Sequence, residues 1–186
     1  MTNFKPQVSL LLSVLPEVAK ETCFALHGGT AINLFVRDML RLSVDIDLTH
    51  IPVEDRATSF SNISKALLRI KATVEAVVSY VQVTHKEKEF KLLIVYQKAQ
   101  IKLEVNQALR RTIIPPIYVT LCEKTQEEFY AFCEIDVVPI GQLYGGKICA
   151  ALDRQHPRYL FDGMSDEPFT YEDFETTRSL LIQTIH

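Results

Sequence analysis

None of the four cysteines, Cys23, Cys122, Cys133 and Cys149, belongs to a C-x-x-C pair, and a chain of 186 residues has no need of disulfide staples. That absence sets aside a zinc ribbon and a disulfide framework, leaving reduced, mostly buried thiols. Long apolar runs are also missing. No segment approaches the roughly 18 consecutive apolar residues of a membrane-spanning helix, and the short run Val8 to Leu15 is bounded by Pro6 and Pro16 with no small-residue cleavage site. A cytoplasmic location is expected. Nor does charge of one sign dominate: the net charge is -3 and the pI near 6.0, so there is no global basic field. A nucleic acid would have to be held by a local patch.

What is present is a 47% hydrophobic content, enough for one sizeable core or one core plus a small lobe. Val8, Leu11, Leu12, Leu15 and Ala19 fall at helical spacing, predicting an opening helix interrupted or bent near Pro16. FALH at 24–27 reads as a short strand, Gly28 and Gly29 as a turn, Thr30 as the cap of a helix carrying Ala31, Leu34 and Phe35, and SVDIDLTH as a strand. Phe60, Ile63, Leu67, Val74 and Val77 predict a long helix between about Asp55 and Tyr80. VQVTH, EFKLLIVYQ and QIKLEVN follow at close intervals, so antiparallel hairpins are expected. A strand over Phe129 to Val138, a helix over QLYGGKICAALDR and a last helix over Tyr171 to Ile185 complete the reading. Neither repeats nor low-complexity tracts are present.

The chemistry gathers at the strand SVDIDLTH. Side chains alternate faces along a strand, so Asp45 and Asp47 point one way while Val44, Ile46 and Leu48 point the other. Two carboxylates on one face repel, and a divalent cation between them relieves this, with hard oxygen ligands favouring magnesium or manganese. D-x-D alone reads equally as an exposed strand face with Thr49 completing a polar stripe. Glu104 is the third candidate: in QIKLEVN, Lys102, Glu104 and Asn106 alternate against Ile101, Leu103 and Val105. An antiparallel neighbour would bring it against the aspartate pair, giving three acids for two metal ions that act on a phosphoryl group. Singly, Glu104 is an ordinary outward charge.

Gly28 and Gly29 open into a helix, where backbone N–H groups approach an anion closely and the helix dipole favours it, with Thr30 available as a hydroxyl donor. Alone, G-G-T is only a tight turn. Lys147 shares a helical face with Leu143, Ala150 and Ala151, so it sits at an apolar boundary, either near an anion or snorkelling. Arg154 and Arg158, one turn apart, suit phosphate or balance Asp153 and Asp162.

GGTAINLFVR followed by RLSVDIDLT resembles the opening motif of the AbiEii/AbiGii-type nucleotidyltransferase toxins, within the DNA polymerase β-like nucleotidyltransferase superfamily. GQLYGGKICAALDRQHPRYLFD is similar to the family's later segment, matching Lys147, Arg154, Arg158 and Asp162, although Tyr159 stands where members usually carry aspartate.

The resemblance implies an α+β fold: a mixed, largely antiparallel sheet flanked by helices, with residues 1–138 as the nucleotidyltransferase core and 139–186 as a helical segment completing the cleft. It implies a metal-dependent toxin that moves a nucleoside monophosphate from an NTP onto an acceptor, an RNA end such as the 3′ end of tRNA, with a cognate antitoxin as partner. Asp45, Asp47 and Glu104 would bind Mg²⁺ or Mn²⁺; Gly28, Gly29, Thr30, Lys147 and Asp162 would bind nucleotide, Lys147 also neutralising charge. Arg37, Arg41, Arg110, Arg111, Arg154 and Arg158 would form a basic rim for RNA. A non-catalytic partner-binding module and an aminoglycoside-type small-molecule nucleotidyltransferase share the same residues.

Overall fold

The computed structural model describes residues 4–38, 43–107, 112 and 114–146. Helix α1 spans Lys5–Ala19 and runs through Pro16 without the interruption that was one of the two expectations there. Proline removes one hydrogen bond from the ladder, but Leu12, Leu15 and Val18 on both sides of it are buried, and their packing keeps the helix continuous. Strand β1, Phe24–His27, leads into α2, Gly28–Ala31, which passes into a π-helical turn over Ile32–Val36. Strand β2 is Asp45–His50.

Helix α3, Arg56–Val77, starts where the sequence placed it because Asp55 caps it, accepting from the backbone N–H groups of Ala57 at 2.9 Å and Thr58 at 3.0 Å. Its face of Ile63, Leu67, Ile70 and Val74 is buried. The expected hairpins follow: β3, Gln82–Lys86, pairs antiparallel with β4, Lys91–Tyr96, which pairs antiparallel with β5, Ala99–Val105.

The strand expected over Phe129 to Val138 is shortened to β7, Glu134–Val137, and two elements that were not expected precede it, β6 over Ile117–Thr120 and a short helix α4 over Glu123–Phe129. Only Thr125 of α4 is buried, so the helix leaves no apolar period to read. Tyr130 at φ 50° then ends it in a left-handed turn.

The seven strands form one sheet in the order β3-β4-β5-β2-β1-β7-β6. Two of its pairings are parallel, β1 with β7 and β2 with β5, and the other four are antiparallel, as the largely antiparallel expectation required. Helix α1 packs on β5 and β7 and against α3, which covers β3 and β4. The core lies beneath these helices, with Leu11, Leu15, Leu26, Ile46, Leu48, Leu92, Ile94 and Leu103 buried. None of the described helices is long and apolar enough to cross a membrane.

Candidate active site

Alternation along β2 buries Ile46 and Leu48 and leaves Asp45 and Asp47 half-buried on the opposite face. Thr49, on the acids' own face, is fully buried, so that face is not a continuous solvated polar stripe; it opens to solvent only at the two aspartates. Strand β5 repeats the pattern, burying Ile101, Leu103 and Val105 and leaving Lys102 and Glu104 half-buried.

β5 lies parallel to β2, not antiparallel as expected, and its register pairs Asp45 with Lys102 and Asp47 with Glu104. The antiparallel expectation came from the hairpins on either side; β5 itself is reached from β2 by a crossover through α3 and the β3–β4 hairpin, which turns it to run alongside. Across the sheet the pairings form a transverse row, Lys91 on β4, Glu104 on β5, Asp47 on β2 and His27 on β1. Directly opposed residues share a face. Asp47 and Glu104 are thus neighbours, with Asp45 one row away.

Lys102 stands among these acids. Its Nζ lies 3.2 Å from Glu104 Oε2 and 3.7 Å from Asp45 Oδ2. Burial pulls its pKa down, but the hydrogen bond to Glu104 and the charges of Asp45, Glu104 and Asp47 outweigh that and hold it above the ordinary lysine value. On the far side of Glu104, Lys91 Nζ lies 3.5 Å from Glu104 Oε2 and 2.9 Å from Glu89 Oε2. Among the described residues, no three His, Cys, Asp or Glu side chains close into a ready group of metal ligands. The acids are gathered but open, with lysine ammonium groups between and beside them.

The glycine turn presses on this row. Gly28 has φ +76°, a left-handed conformation that glycine adopts without strain, and a Cβ there would sit 2.5 Å from Asp47 Oδ2. The backbone of the turn thus reaches the carboxylate because no side chain intervenes. Asn33 Nδ2 donates to Gly29 O at 2.8 Å and fixes the turn from the helix side.

Thr30 is placed differently from expectation. The helix begins at Gly28 with His27 as its cap position, so Thr30 is the third helical residue, fully buried. Its hydroxyl donates to the carbonyl oxygen of Asp45 and lies 2.9 Å from Ser43 Oγ. It ties the turn to the first residue of β2. Residues 140–146 are helical and bring Gly146 against His27, where an added Cβ would lie 3.3 Å from Nε2.

Arg37, expected on an exposed basic rim, is only 5% exposed, because it directly follows the buried π-helical turn Ile32–Val36. Arg41, Arg110, Arg111, Lys147, Arg154, Arg158 and Asp162 lie outside the described residues. Cys23 and Cys133, both free, are pushed up to about 11, first of all by burial, so they are thiols and not nucleophiles at neutral pH. Sequence reasoning missed Asn33, Ser43 and Lys102. Lys102 had a signal, since it alternates with Glu104, but the meaning of that alternation depends on the strand beside it.

A glycine turn packed on a D-x-D strand, with a third acid on the adjoining strand, is the arrangement that the sequence resemblance implied. A family model described as nucleotidyl transferase AbiEii toxin, type IV toxin–antitoxin system, matches residues 9–163. The chain belongs to the AbiEii nucleotidyltransferase toxin family. Among solved structures, MenT4, a nucleotidyltransferase toxin from Mycobacterium tuberculosis H37Rv, superposes with a TM-score of 0.55 at 12% identity, over 76% of this chain and 50% of MenT4. JHP933 from Helicobacter pylori gives 0.53 at 16% identity, over 88% of this chain and 65% of its own. These likenesses support the nucleotidyltransferase fold. The AbiEii chain thus spans half the length of MenT4. No curated protein matches its sequence.

Proposed function

We propose that this AbiEii-family protein is a metal-dependent nucleotidyltransferase that transfers a nucleoside monophosphate from an NTP to an acceptor and releases pyrophosphate. The observation that carries the reading is the parallel register of β2 and β5, which sets Glu104 beside Asp47 while Gly28 brings backbone against the same carboxylate.

The donor set fits a hard divalent cation. The side chains are carboxylates on a half-exposed face, and the Lys102 ammonium already lies between two of them. Asp45, Asp47 and Glu104 would hold Mg²⁺ or Mn²⁺, which when bound supplies phosphoryl polarisation and a lowered pKa for the attacking hydroxyl. The chain's own residues do the rest. The backbone N–H groups of Gly28, Gly29 and Thr30 would bind phosphate oxygens, with the Thr30 hydroxyl positioning β2. Lys147 would neutralise charge on the leaving pyrophosphate and Asp162 would contact the nucleotide, both by the family pattern.

The acceptor in this reading is an RNA end, with the 3′ end of tRNA as the leading case, and a cognate antitoxin restrains the activity. Arg41, Arg110, Arg111, Arg154 and Arg158 are the candidate RNA contacts. Membership of a type IV toxin–antitoxin family supports the toxin role. The test is to incubate the purified chain with each labelled NTP, Mg²⁺ or Mn²⁺, and total RNA, with Asp47→Ala in parallel. Label on RNA that disappears in the variant supports the reading. Label on a small molecule reassigns the acceptor, and no transfer with any NTP leaves a silent, partner-binding module.

A further inference from the structure

Lys102 has no part in the reaction proposed above, yet its ammonium is held between Asp45 and Glu104 at 3.7 and 3.2 Å. The position is built by register: β5 sets Lys102 opposite Asp45 and one alternation from Glu104, so one cation serves two acids on adjacent strands. Without it, three carboxylates would share one sheet face with less to offset their repulsion. A divalent ion on the same carboxylates needs the same oxygen lone pairs and repels the ammonium. The lysine side chain is 34% exposed and ends a flexible four-carbon stem, so it has a way out toward water.

We propose that Lys102 is the resident counter-cation of the acid row, holding Asp45 and Glu104 together before metal arrives and being displaced when a divalent ion enters, so that it sets the metal affinity of the site. This rests on the metal reading of the acids given above. Lys91 is the natural comparator: it also reaches Glu104, at 3.5 Å, but its nearer partner is Glu89 at 2.9 Å. Its place in the transverse row is on β4, beyond Glu104 from β2. His27 is the group facing Asp47 from β1.

The experiment measures Mn²⁺ binding by electron paramagnetic resonance of the free ion, together with the melting temperature in chelator and at saturating Mn²⁺. The chains compared are the wild type, Lys102→Met, Lys91→Met and the double variant Asp45→Ala/Asp47→Ala. Lys102→Met should bind Mn²⁺ about five- to ten-fold more tightly, because it loses a competing and repelling cation a few ångströms away. It should melt below the wild type in chelator, with the gap closing at saturating Mn²⁺. Lys91→Met should tighten binding much less. Lys102→Gln, a second neutral variant, should behave as Lys102→Met does and serves if the latter fails to fold.

Unchanged or weaker Mn²⁺ binding in both neutral variants, or no fall in their metal-free melting temperature, overturns the role of Lys102 while leaving the metal reading in place. Mn²⁺ binding that survives in the double aspartate variant, or is absent from the wild type and the lysine variants alike, overturns the metal reading and this inference with it.

Discussion

The paired strands β2 and β5 and the glycine turn that packs on them build one site by opposite means. On the strands the side chains are half-buried, charged and held by ion pairs to lysines that reach in from the same sheet face. In the turn the side chains of Thr30 and Asn33 are buried and held by bonds of fixed geometry, Asn33 to Gly29 O and Thr30 to Asp45 O, beside a backbone conformation open to glycine at residue 28. Ion pairs near the surface contribute little to stability and rearrange readily. Buried hydroxyl and backbone bonds contribute more and do not rearrange. In the proposed reading the strands are therefore where a ligand would exchange with the protein's own charges, and the turn is what keeps those charges in register.

Replacing an acid should separate the two regions most sharply. Asp47→Ala removes the carboxylate that meets Glu104 on one side and the Gly28 backbone on the other, and nucleotide transfer should fall by about a hundred-fold or more. The melting temperature of the metal-free protein should stay level or rise, because a like charge has left the row. Retained transfer would sink the mechanism, and a collapse in melting temperature would make Asp47 a structural residue.

Gly28→Ala should damage both properties together. Alanine at φ +76° is strained, and its Cβ would sit 2.5 Å from Asp47 Oδ2, so the turn or the carboxylate must move. A cost of about 1–3 kcal/mol is expected, with transfer impaired at every metal concentration. Normal stability with normal activity would show that the close approach of turn and acid is dispensable.

Much of this contrast was legible in the sequence, and the illegible part has a physical cause. Period-two alternation told which residues of β2 and β5 share a face, so the gathering of Asp45, Asp47 and Glu104 on one face was readable without a structure. It does not carry strand direction, because a parallel and an antiparallel neighbour present the same alternating face. Hence β5 was expected to run the wrong way, and Lys102 was given no role until the register set it against Asp45. The meander of β3, β4 and β5 was readable because its turns are local, whereas β7 is set by pairing with β1 across the chain and β6 joins the sheet only through β7. The helix cap was misplaced by three residues, at Thr30 instead of His27, which hid the Thr30 hydroxyl's role as a buried tie to Asp45.

Thr30→Val tests that reassignment. Valine keeps the volume but leaves the Asp45 carbonyl without the hydroxyl, inside a fully buried site. A loss of about 1–3 kcal/mol in unfolding free energy is expected, larger than any change in NTP affinity measured by calorimetry. Weaker NTP binding with unchanged stability would return the hydroxyl to the phosphate.

The smallest effect is expected at Asp55, a carboxylate outside both regions whose described partners all lie within three residues in its own helix. The hydrogen bond from the Thr58 side chain, then those from the Thr58 and Ala57 backbone, hold its pKa below the ordinary 3.8. A carboxylate depressed in the folded state adds stability that is fully present above its unfolded pKa and is lost as pH falls through the folded one. Asp55→Asn keeps an acceptor for the cap but cannot titrate. The melting temperature of the wild type should therefore exceed that of Asp55→Asn slightly at neutral pH, and the gap should close as the pH is lowered below 3.8. Cations should leave that gap unchanged: if Mn²⁺ altered it, Asp55 would be coupled to the acid row, and the division between charges that exchange with a ligand and charges that only hold the fold would fail at its simplest case.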